Sequence, residues 1–112
     1  MKSNDEKMLE LCFAQIKSYF KDETDLNFYK TLDNPVSLHH SLGGRLRNEL
    51  KLWQDSEVAK WFKALGIDHA DDMSSIILTS YHRKLNNVPI NLEEQVQYYK
   101  DWWVKPEEER HG

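Results

Sequence analysis

A chain of 112 residues, 39% hydrophobic and 30% charged with only four Gly and three Pro, has the makeup of one globular core rather than of a low-complexity or fibrous chain. A net charge of −4 argues against general nucleic-acid binding, which needs clustered Lys and Arg, and leaves nucleic acid within reach only through a nucleoprotein partner. The lone Cys12 excludes an internal disulfide, no apolar run approaches the ~18 residues of a membrane span, and residues 1–6 lack the basic start and apolar centre of a signal peptide. Cytoplasm, a reducing compartment, is the expected location.

Leu9, Cys12, Phe13, Ile16 and Phe20 recur at i, i+3, i+4, i+7 and i+11, one face of a helix predicted from Asn4 to Lys21. Asn4 is its natural N-cap, and Asp5 and Glu6 favour the helix dipole. Residues 22–37 are less regular: Asp33-Asn34-Pro35 marks a turn, and Leu26, Phe28, Tyr29 and Leu32 suit a short helical turn capping the core. Leu38, Leu42, Leu46, Leu50 and Trp53 share the arc of a second long helix over 38–53. It opens at Leu38 or, because Gly43-Gly44 costs roughly 1 kcal/mol per glycine, at Gly44. Asp55 or Ser56 opens a helix through Leu65, with Val58, Trp61, Phe62 and Leu65 on its apolar side and Gly66 ending it. From Asp71 a further helix carries Met73, Ile76, Ile77, Tyr81 and Leu85 to Asn86-Asn87, which tolerate the left-handed conformation, and Pro89 confirms the break. Asn91 and Glu94 have the spacing of a capping box at the head of a last helix that buries Leu92, Val96, Tyr99 and Trp103. Pro106 stops it, and residues 104–112 are expected to form a disordered tail. With no strict period-two stretch, no linker and no repeat, the expectation over residues 1–112 is all-α: a single compact domain of about five helices around one core, with no β-sheet.

Three segments carry a resemblance: Leu42-Gly43…Leu46-Arg47-Asn48…Leu52-Trp53; Leu65-Gly66-Ile67-Asp68-His69-Ala70-Asp71-Asp72-Met73-Ser74; and Ile76 through Asn86. Together they resemble an uncharacterised family of small bacterial helical proteins, a domain of unknown function, over about residues 38–100. The run from His69 through Asp71-Asp72-Met73-Ser74 to Ser80-Tyr81-His82-Arg83 and Leu85-Asn86 is the most specific part. The resemblance implies a compact helical fold and no chemistry. Glu49-Leu50 stands where that pattern carries a second amide and an aromatic residue.

Five histidines raise a metal hypothesis that their spacing does not support. His39 and His40 are about 100° apart on a helix, neither has an i+4 histidine partner, and there is no Cys-x-x-Cys or His-Glu-x-x-His. Asp71 and Asp72 after His69 read as helix-start residues, so no metal and no cofactor is expected. Asp71, Ser75 and His82 fall along one stripe, but Ser75 and His82 are about 10 Å apart along the axis, beyond the ~3 Å of a nucleophile and its base. No catalytic residue is assigned, and His82 reads as solvated or capping.

Glu49 falls near the centre of the apolar arc of the second helix. A carboxylate there needs a partner, so a buried polar cluster of Arg45, Glu49 and Tyr81, with Arg83 within reach, is expected. Arg45, Arg47 and Lys51, with His82, Arg83 and Lys84 nearby in space, make a locally basic arc: a solvated face, or a seat for an acidic surface or a phosphate. Tyr98 and Trp102, at i and i+4, form an exposed aromatic ridge, while Trp103 points inward. The functional expectation is a non-enzymatic protein-binding accessory or inhibitor module of bacterial or phage origin. It would occupy a partner protein's surface through Tyr98, Trp102, Arg45, Arg47, Lys51, His82 and Arg83. The alternative is a hydrolase or transferase whose site is assembled from several helices around His82, Arg83, Asp72 and Glu49.

Overall fold

Ser3, rather than Asn4, caps the first helix in the computed structural model, which describes residues 3–110. Its Oγ accepts the Glu6 N–H at 3.2 Å, and α1 runs Asn4–Lys17. The helix stops a turn short of Lys21 because the Ser18 hydroxyl donates to the Gln15 carbonyl at 2.6 Å and competes with the helical ladder. Tyr19 and Phe20 then fold back, half-buried, onto the core. The next segment is a full helix, α2 (Glu23–Lys30), capped by the Asp22 carboxylate, which accepts the Asp25 N–H at 3.0 Å. It had no readable apolar stripe because Tyr29 is its single buried residue.

A 3₁₀ turn over Pro35–Leu38 leads to α3 (Leu42–Glu49), half the length its leucine arc suggested. Lys51 ends it in the left-handed region at φ 53°, with the Leu52 N–H reaching the Arg47 carbonyl at 2.9 Å and the Lys51 N–H the Asn48 carbonyl at 3.3 Å. The reversal buries Leu52 and leaves Trp53 63% exposed, although the arc had placed Trp53 inside. The same closure recurs at Gly66 (φ 99°), after Ser56-capped α4 (Glu57–Ala64), and at Asn87 (φ 57°), after α5 (Ala70–Leu85).

No capping box opens α6 (Leu92–Val104): Asn91 is itself left-handed and its side chain caps nothing. Gln95 ties the helix down instead, its Nε2 donating to the Ile90 carbonyl at 2.9 Å and to Ser80 Oγ at 3.0 Å. Within the expected tail, α7 (Glu107–Arg110) makes one helical turn that brings the Arg110 guanidinium 5.2 Å from the Trp103 ring. Residues 111 and 112 of that tail lie outside the described residues.

Among the described residues there is no strand, and the all-helical expectation holds with seven α-helices in place of about five. α5 is the axis of the molecule, packed by α1, α2, α3, α4 and α6 and by the 3₁₀ turn. Its Met73, Ile76, Ile77 and Leu78 are fully buried, as a helix covered on nearly every side requires. Beside them, Phe13, Phe20, Tyr29 and Tyr81 stack with centroids 5.3 to 6.5 Å apart, and the Tyr29 hydroxyl donates to the Leu78 carbonyl.

Candidate functional site

A face between α5 and α6 stays open. Helical spacing on α6 sets Glu94, Tyr98, Asp101 and Trp102 along one stripe, at i, i+4, i+7 and i+8. Tyr98 is 62% exposed and meets Tyr99 edge-on at 5.1 Å, while Tyr99 and Trp102 are half-buried. Ser75 of α5 is hydrogen-bonded to the Tyr99 hydroxyl, whose pKa burial raises. On one side of the Tyr98–Tyr99 pair a cleft of about 440 Å³ is bounded by Thr79 and Arg83 of α5 and Glu94, Gln95, Gln97 and Asp101 of α6. On the other side a cleft of about 360 Å³ runs past Trp102 to Val36, His39, Asp71, Asp72 and Ser75. The two clefts adjoin across both tyrosines, which line each of them, and together make up the groove between the helices.

Beneath the second cleft lies a polar floor held by Arg47. Its guanidinium is buried: Nη1 donates to Ser74 Oγ at 2.9 Å and stands 3.4 Å from His39 Nδ1, and Nε is 3.4 Å from Asp71 Oδ1. Gly43, one turn earlier, makes the room, since a Cβ there would meet Arg47 Nη1 at 3.1 Å. Asp72 accepts the Trp103 indole N–H at 2.8 Å, and burial pushes its carboxyl above the usual carboxylate range despite that bond. Trp103 is 44% exposed, stacked on His69 at 3.9 Å, so it belongs to the wall of the molecule and not to the core. Trp102 is the more covered of the two indoles, the reverse of the expected order.

The basic arc read from the sequence is not one surface. Arg45 lies over the Tyr19 ring at 3.9 Å and pairs with Glu49 at 3.6 Å, while Glu49 also accepts Gln15 Nε2 at 2.6 Å. Their side chains are 54% and 44% exposed, and Tyr81 is elsewhere, in the aromatic stack. The buried Arg45–Glu49–Tyr81 cluster is therefore a surface pair plus an unrelated core ring. The helix breaks just past Glu49, so the arc that centred on it does not exist. Lys51 is the left-handed turn residue. His82 Nε2 is 2.9 Å from the Leu32 carbonyl, and the imidazole meets Tyr29 edge-on, fastening the end of α2. Arg83 donates to the Ile90 carbonyl at 2.7 Å and borders the first cleft.

The structure thus gathers Tyr98, Trp102 and Arg83 around the groove with Arg47 below it, and leaves Arg45, Lys51 and His82 apart. His82, Arg83, Asp72 and Glu49 each hold different partners. Sequence reasoning missed His39, Ser75 and Tyr99 as groove residues and Arg47 as a buried charge. The available signal was Gly43 one helical turn before Arg47, a missing side chain where a guanidinium folds back. Cys12 lies inside the core, its thiol pushed up to about 12 by burial. Among the described residues no group of three His, Cys, Asp or Glu side chains is arranged to hold a metal ion, and no helix is long and apolar enough to cross a membrane.

The model of the family described as Domain of unknown function (DUF6794) matches residues 7–85. No curated protein and no solved structure matches the chain. The matched segment holds all but the first three residues of α1 and the whole of α2 through α5, and with them the polar floor of the groove, while the aromatic wall on α6 lies beyond it.

Proposed function

This chain belongs to the family described as Domain of unknown function (DUF6794), and from its groove we propose that it is a small, non-enzymatic protein-binding accessory module. The observation that carries the reading is the Tyr98–Tyr99–Trp102 wall, with Tyr98 62% exposed between two adjoining clefts. Large rings held at the edge of a preformed concavity are the residues that dominate interfaces, because they bury much area at little cost in side-chain entropy. The floor supports the same reading, since its polar groups already bind one another: Arg47 to Ser74, Asp72 to Trp103, Ser75 to Tyr99. The module would act in the cytoplasm by occupying its partner's surface, as an accessory subunit or an inhibitor of bacterial or phage origin.

Affinity capture with the full chain, run in parallel with Tyr98→Ala, tests this. A protein retained by the parent and lost with Tyr98→Ala, at an unchanged circular dichroism melt, is the expected result. An identical set of retained proteins with both chains sinks the reading.

A further inference from the structure

We infer that the groove takes a segment of the partner rich in Arg and Lys, which the Tyr98 and Trp102 rings and the flanking carboxylates recognise together; this rests on the binding reading above. Four carboxylates line the two clefts, Glu94, Asp101, Asp71 and Asp72, against two guanidinium groups: Arg83, already directed at the Ile90 carbonyl, and the buried Arg47 below, 3.4 Å from Asp71. Along α6 the order is carboxylate, ring, carboxylate, ring: Glu94, Tyr98, Asp101, Trp102. The two carboxylates are seven residues apart, about 10 Å along the axis, so two cations of one segment can be met at once with a ring between them.

One of the two rings, Trp102, already meets a cation, with Lys105 Nζ 5.8 Å from its centroid, and beside the groove the Arg110 guanidinium lies 5.2 Å from the Trp103 ring. An arriving Arg or Lys would repeat those contacts while gaining the carboxylates, in a chain whose net charge of −4 also steers cations inward. An acidic partner would need the basic arc, and Arg45, Arg47 and Lys51 are spread over a surface pair, a buried floor and a turn.

Fluorescence anisotropy of the full chain with three labelled peptides of one length tests the inference: one with Arg and Lys among Ala and Leu, one with Gln and one with Glu in their places. The basic peptide is expected to bind about tenfold or more tighter than the Gln peptide and to weaken as salt is raised. Tyr98→Ala and the double variant Asp72→Asn/Asp101→Asn should each lose about tenfold, and Asp55→Asn/Glu57→Asn, the same charge change outside the groove, should not. Equal binding of the Gln or Glu peptide, or an equal loss in the outside variant, overturns cation recognition. If capture of a partner still depends on Tyr98 in that case, the binding module stands and its ligand is of another class.

Discussion

Arg45 and Arg47, two residues apart on α3, show how little residue type says about cost. Arg45 pairs with Glu49 in water, where such a bridge contributes ~0–1 kcal/mol, so Arg45→Leu or Glu49→Leu should leave the thermal melt almost where it was. Arg47 is buried against Ser74, and Arg47→Leu strips a buried hydroxyl and a partner of His39 and Asp71 at about 1–3 kcal/mol. Urea titrations of the three variants check this, and a stable Arg47→Leu would mean the floor is held by something else. Asp72 makes the complementary case for pH. A carboxyl whose pKa burial raises on folding binds its proton more tightly in the folded chain, so the stability it contributes is present at acid pH and lost as pH rises through the raised value. Asp72→Asn, which keeps an oxygen for the Trp103 indole, should therefore melt above the parent near pH ~7 and lose that advantage near pH ~3.

At the scale of elements, helix ends decided more than helix faces. Gly66 and Asn87 were legible as stops because Gly and Asn enter the left-handed region readily, but Lys51 adopts the same conformation with no compositional signal. The leucine arc consequently overran the real end of α3, carrying Glu49 into a core position it never occupies and Trp53 with it. Lys51→Gly should stabilise the protein by up to ~1 kcal/mol by relieving that backbone. The two glycines of α3 should also behave differently. A Cβ at Gly44 meets only Arg47 Nη2 at 3.7 Å, so Gly44→Ala should raise the urea midpoint, worth up to ~1 kcal/mol. Gly43→Ala forces the buried guanidinium aside at 3.1 Å and should forfeit that gain. Equal midpoints for the two alanine variants would contradict the packing described.

For the whole molecule, α5 is the element that every other part of the core needs. Its Met73, Ile76, Ile77 and Tyr81 gave a clean stripe in the sequence, yet Ser74, Ser75 and Ser80 are buried as well, on the sides facing α3 and α6. The energetic centre follows that axis rather than the indole pair near the C-terminal end. Phe62→Ala should cost ~3–5 kcal/mol as a fully buried ring, whereas Trp103→Ala should cost only about 1 kcal/mol for a stacked, half-exposed one, and paired melts separate them. What the sequence determined by itself was the all-helical class and most core faces, because i, i+3, i+4 spacing reports which side chains share one side of a single helix. Tertiary structure alone decided that Trp102 is more covered than Trp103, that Arg47 is buried while Glu49 is not, and that α5 and α6 leave a groove open. Those outcomes depend on how far each helix is rotated and where it stops against its neighbours, and the periodicity of one helix carries no record of either.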